Sequence, residues 1–89
     1  MRIVVAVIGR DRPGIMASVT AMLAARAANI LDVSQTIMSD LFTMVMLVDI
    51  NNASVPFATL KADLEAHGQS ASLVILVQHE DIFRAMHRV

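Results

Sequence analysis

Runs of apolar residues with three different periods divide the chain. Arg2 to Ile8 (RIVVAVI) is apolar and mostly β-branched, which predicts a strand buried on both faces in the middle of a sheet. Gly9 is expected to end it. Pro13 suits the first turn of a helix, where its missing N–H costs nothing, and Asp11 is a better capping acceptor than Arg12. From Pro13 to Ala28 the residues Ile15, Met16, Val19, Met22 and Leu23 recur at helical spacing. Asn29 is the expected stop, because Asn tolerates the left-handed conformation.

Ile30 to Asp40 alternates. Leu31, Val33 and Ile37 share one face and Asp32, Ser34 and Thr36 the other, which predicts an edge or half-exposed strand. A tight reversal follows at Asp40 and Leu41. Phe42 to Ile50 is apolar on one face and holds Thr43, Val45 and Leu47 on the other, as in a central strand. Asn51 to Ser54 reads as a loop. Pro56 opens a second helix with Phe57, Leu60 and Leu64 inward, Lys61, Asp63 and Glu65 outward, and Gly68 as its expected stop. Ser72 to Gln78 is a last strand, and Glu80 to Arg88 has the spacing of a short terminal helix with Ile82, Phe83 and Met86 on one side.

The order β-α-β-β-α-β defines an α+β, ferredoxin-like sandwich: a four-stranded antiparallel sheet with two helices on one face, plus a short C-terminal helix. Right-handed crossovers put the first and third strands in the middle, matching the two strands that are apolar on both faces. The expected organisation is one domain over 1–89, with a core at 2–78 and an extension at 79–89. The fourth strand falls on an edge yet is apolar throughout, so the terminal segment or a second subunit is expected to cover the sheet there.

Composition sharpens this picture. The chain has 89 residues, of which 56% are hydrophobic, against about 45–50% for average domains. A small body cannot hide that much apolar surface, so burial against another copy or a partner is expected; alanine and valine bias is the alternative. The same two explanations apply to Ala17, Ala21, Ala24 and Ala28, a stripe of small residues where a solvent-facing helix would carry Lys and Glu. A net charge of −1 argues against a nucleic-acid surface. With no cysteine there is no disulfide, thiolate nucleophile or zinc–thiolate site. The apolar N-terminal run is too short to span a bilayer and lacks the layout of a cleavable signal. A cytoplasmic setting is expected, away from membranes.

Catalytic chemistry is poorly represented, so no enzyme activity and no cofactor are expected. There is no Gly-x-Ser-x-Gly elbow, no His-Glu-x-x-His pair and no tyrosine, and His67, His79 and His87 are scattered. His67 reads as a solvent-facing residue at a helix end. His79, Glu80, Asp81 and His87 match no strong metal motif, and no metal is expected. A sheet that stacks RNA bases needs aromatics on its central strands; only Phe42 is available, and it is expected to face the core.

The densest chemistry lies at Gly9 to Val19. Free N–H groups near Gly14, Ile15 and Met16, at the start of the first helix, can hold an anion. Gly14 leaves room for a close ligand. Asp11 can accept from an ammonium, and Arg10 or Arg12 can add a contact to a carboxylate. That combination suits a free amino acid; a well-capped helix with solvated charges is the plain alternative. The stretch GRDRPGIMASVTAMLAARAANILDVSQ resembles the ACT domain, a small ligand-binding regulatory module with a G-x-D-x-P-G-I/L turn and a later Asn-Ile. Gly9, Asp11, Pro13, Gly14, Ile15, Asn29 and Ile30 match that signature. The resemblance covers roughly Arg2 to Gln78 and is closer still to small bacterial and archaeal proteins consisting of one such domain.

The resemblance implies a module that binds an amino acid or similar small metabolite. ACT domains commonly pair side by side as homodimers, joining edge strands with their first helices adjacent and the ligand at the interface. The implied ligand-binding residues are Asp11, Pro13, Gly14 and Ile15 of one subunit and Asn29 and Ile30 of the other; the residues themselves offer Arg10, Arg12 and Asp32 as possible additional contacts. Because no catalytic or DNA-binding domain is attached, action on a separate partner protein is expected. The alternative is a ligand-free adaptor that docks a partner through its sheet face and the segment Glu80 to Val89.

Overall fold

The computed structural model describes residues 1–82. Six elements follow in order: β1 (Arg2–Arg10), α1 (Ile15–Ala25), β2 (Asn29–Met38), β3 (Leu41–Asp49), α2 (Phe57–Ser70) and β4 (Val74–His79). The sheet order is β2-β3-β1-β4 and every neighbouring pair is antiparallel. This is the ferredoxin-like α+β arrangement, and the doubly apolar strands are the two central ones. Alternate residues Ile3, Val5 and Val7 of β1 and Met44, Met46 and Val48 of β3 are fully buried under the helices. Val19 and Leu23 of α1 and Leu60 and Leu64 of α2 close the core from above. Phe42 joins it at 4% exposure, as its alternation requires.

Several element ends differ from those expected. Gly9 does not end β1: the ladder to β3 continues through Gly9↔Phe42 and Arg10↔Leu41, and those pairings outweigh the low strand preference of glycine. Helix α1 starts at Ile15, not Pro13. Its N-cap is Gly14, with no side-chain cap hydrogen bond, so Asp11 is not the cap. Nor does Asn29 stop that helix. Ala27 takes the left-handed conformation at φ 57, and Ala28 N–H donates to Leu23 O at 3.0 Å. These contacts close a Schellman-type end two residues earlier, which frees Asn29 to begin β2. The reversal after β2 is made by Ser39 and Asp40, with Ser39 at φ 58.

Gly68 is likewise not a stop. It lies inside α2, buried, and the helix runs to Ser70. A Cβ there would stand 2.9 Å from the Leu73 carbonyl oxygen and 3.0 Å from an Ile75 side-chain carbon. Glycine at this position lets α2 lie close on β4. Met16, expected inside, is 40% exposed, because the buried face of α1 is the narrow stripe Ile15, Val19 and Leu23 and Met16 lies about 100° around the helix from Ile15. Glu80, Asp81 and Ile82 take helical backbone conformation; the rest of the expected terminal helix, from Phe83 on, lies outside the described residues. Arg2 fastens the start of this segment to the sheet, with Nε 2.5 Å from Glu80 Oε2 and Nη2 donating to Oε1 at 2.7 Å.

Candidate functional site: the β1–α1 corner and the β2 edge

The corner after β1 is built by a turn rather than a side-chain cap. Gly14 has φ 89 and ψ −3, the third position of a type II turn, and Pro13 before it is the favoured second residue. A Cβ at Gly14 would meet no atom within 4 Å, so the space directly above the turn is open. The first intrahelical bond is Ser18 N–H to Gly14 O at 2.9 Å. The N–H groups of Ile15, Met16 and Ala17 therefore precede the helical ladder. No acidic residue sits in the first turn to offset the positive end of the helix dipole.

Three contacts hold the corner in place. Asp11 N–H donates to Asp40 O at 2.7 Å, tying it to the β2–β3 turn. An Arg12 Nη2 donates to the Ala71 carbonyl oxygen, tying it to the α2–β4 loop. Arg10 Nε lies 3.9 Å from Asp40 Oδ2, with both side chains largely exposed. Behind the turn, Ser18 Oγ donates to Ile15 O at 2.9 Å and sits 3.1 Å from His67 Nε2. A hydroxyl has one proton, so Nε2–H is the donor in the second contact. Thus His67, read from sequence as solvent-facing, is part-buried and bridges the two helices. Two residues 49 apart in sequence left no local signal for this pairing.

The remaining candidates lie elsewhere. Asn29 pairs with Asp49, which in turn pairs with Arg2 at the start of β1. Arg10 is at the other end of that strand, so Asn29 stands roughly 25 Å along the sheet from the turn, at about 3.3 Å per residue. Ile30 is half-buried beside it, and Asp32 follows a bulge and accepts from Val33 N–H through Oδ1 at 2.9 Å. Within one chain, then, the candidate residues form two separate groups: Arg10, Asp11, Arg12, Pro13, Gly14 and Ile15 at one end, and Asn29, Ile30 and Asp32 at the other.

The surface between the two groups is the outer edge of β2 and the flank of α1. Leu31, Ile37 and Met38 are 45%, 50% and 61% exposed. Met16 projects on the side of α1 opposite Ser18 and hence away from α2. Ala17, Ala21 and Ala24 are exposed, whereas Ala28 of the same stripe is buried beyond the helix end. Among the described residues no group of three metal-ligating side chains converges. His79 Nδ1 lies 3.6 Å from Asp81 Oδ2, while Glu80 turns to Arg2. No helix of the described residues is long and apolar enough to cross a membrane.

The family model described as the ACT domain matches residues 1–78, and the chain belongs to the ACT domain family. A UPF0237 protein of Methanocaldococcus jannaschii is 59% identical over 88 residues, covering 99% of this chain and 98% of that protein. A UPF0237 protein of Clostridium acetobutylicum is 44% identical over 89 residues, covering all of both. Among solved structures, an ACT domain protein from Streptococcus pneumoniae superposes with a TM-score of 0.80 at 35% identity, covering 93% of each chain. ACT domains are small-ligand-binding regulatory domains.

Proposed function

We propose that this protein senses a free amino acid at the interface of a homodimer and acts on a separate partner protein in the cytoplasm. The observation that carries the reading is the uncapped N-terminus of α1 beneath open space at Gly14. Three N–H groups and the helix dipole there suit a carboxylate, and Asp11, in the same turn sequence, is the acidic residue that would accept from the ammonium. Pairing two β2 edges antiparallel about a two-fold axis brings the partner's Asn29 and the partner's Ile30 from the far end of the sheet to this corner. It also covers Leu31, Ile37 and Met16, and packs small α1 side chains where charged ones would obstruct approach.

Thermal melting against each standard amino acid tests the reading, since a ligand bound by the folded form raises the apparent stability by mass action. A rise with one amino acid that disappears in Asn29→Ala is the expected result. If no amino acid raises the melting temperature of the native protein, the amino-acid reading fails.

A further inference from the structure

The charged side chains that the sequence offers to a ligand are each taken elsewhere by the fold. Paired residues of a ladder share a face, and neighbours along a strand alternate. Gly9 pairs with Phe42, which is buried beneath the helices. Arg10, next along β1, therefore emerges on the opposite face of the sheet, where its Nε lies 3.9 Å from Asp40 Oδ2. Asp32 pairs with Leu47, between the fully buried Met46 and Val48. It too lies on the face away from the helices, and its Oδ1 accepts from Val33 N–H at 2.9 Å. Arg12 donates through Nη2 to the Ala71 carbonyl oxygen at the end of α2. Arg26, near Asn29 in sequence, donates through Nε to Asp63 Oδ2 at 3.1 Å.

What remains beside the exposed N–H groups is apolar. Met16 carries one of those N–H groups, and its side chain, 40% exposed, leaves α1 on the flank away from α2. Ile37 shares the helix-covered face with Phe42 and Gly9, in a row aligned by strand pairing, and is 50% exposed. We infer that the amino acid taken by this corner carries an uncharged, apolar side chain, and that Met16 selects it. This inference rests on the amino-acid reading given above and narrows it. In that reading the N–H groups of α1 take the carboxylate and Asp11 the ammonium, so the two charges common to all amino acids are matched. A third charge, on the ligand's own side chain, would leave water where Arg10, Arg12 and Asp32 are already engaged, and an unpaired charge is costly to bury. An apolar side chain against Met16 and Ile37 gains instead by leaving water. The flexible thioether of Met16 can follow a branched or a straight side chain. The β2 pairing of that reading adds the partner's Ile30, a further apolar neighbour.

Calorimetric titration of the full chain with each standard amino acid tests this. The tightest binder should have an apolar side chain, with aspartate, glutamate, lysine and arginine each about a hundredfold weaker or more. Tightest binding by a charged amino acid, by one with a polar side chain or by glycine would overturn the inference and leave the amino-acid reading standing. Silence from every one of them would sink that reading, and this inference with it. A second measurement moves the selectivity at one exposed position. Met16→Arg sets a cation beside the N–H groups, and should weaken the preferred apolar amino acid and strengthen aspartate or glutamate, each by about tenfold. Met16→Leu, which keeps an apolar surface, should hold the native ranking to within about threefold. An unchanged ranking in Met16→Arg would overturn the role given to Met16.

Discussion

The two β-α-β halves of this fold end their helices alike and begin them differently. Helix α1 closes through Ala27 in the left-handed conformation, with Ala28 N–H reaching Leu23 O at 3.0 Å. Helix α2 closes through Ser72 in the same conformation, with Leu73 N–H reaching Gly68 O at 2.7 Å. At the front the symmetry breaks. Helix α2 starts after Pro56, whose φ of −69 is ordinary for proline. Helix α1 starts after Gly14, whose φ of 89 only glycine adopts freely. The outer face of α1 carries alanines and no charge, while α2 carries Lys61 and Glu65 outward and turns Asp63, expected outside, to Arg26 Nε at 3.1 Å. One scaffold thus hosts a backbone-lined corner on one side and a charged flank on the other. The difference lies in turn chemistry and surface, not in the core.

If the halves are equivalent inside, matched core truncations must cost the same. Leu23→Ala and Leu64→Ala, both fully buried, should each destabilise by about 2–5 kcal/mol in chemical denaturation. A loss below about 1 kcal/mol at Leu23 alone would show that α1 is not integral to the core. Closeness of packing should separate the halves next. Gly68→Ala forces a Cβ against backbone and should cost about 1–3 kcal/mol. Ala21→Gly in the exposed face of α1 should cost about 1 kcal/mol, from helix propensity alone.

The contrast at the helix starts comes third. Gly14→Ala should cost about 1–2 kcal/mol, because the left-handed conformation strains an L side chain although the space is empty. Pro56→Ala should cost less than about 1 kcal/mol, the usual contribution of a compatible proline. Reversal of that order would mean the β1–α1 turn relaxes out of its left-handed geometry. The smallest effect should be shared. Ala27→Gly and Ser72→Gly should each raise stability by about 0.5–1 kcal/mol, read as higher melting temperatures. A gain at one helix only would break the equivalence of the two ends.

Much of the fold was legible in local pattern. Apolar residues on both faces of Arg2 to Ile8 and Phe42 to Ile50 marked the central strands, because a strand with helices on one side and neighbours on both has little room for polar groups. The alternation of Ile30 to Asp40 marked an edge for the converse reason. Helix ends were less legible. Gly68 looks like a stop in sequence, yet its lack of a side chain serves contact with Leu73 and Ile75. Ala27 and Ser72 carry no stop signal, and their left-handed conformations are imposed by the strands that follow.

The candidate site divides in the same way. The sequence by itself determined that helix N–H groups lie exposed near Gly14, Ile15 and Met16, whereas the left-handed turn at Gly14 that sets the helix back to Ile15 was fixed by the structure. It determined equally that Phe42 faces inward, through simple alternation. Only the tertiary structure decided that Asn29 lies at the far end of the sheet from that turn, that Ser18 meets His67, and that Arg2 grips Glu80. Sheet order and helix packing set those relations between distant positions. Side-chain chemistry offers candidates for such contacts, but the path of the backbone selects which of them meet.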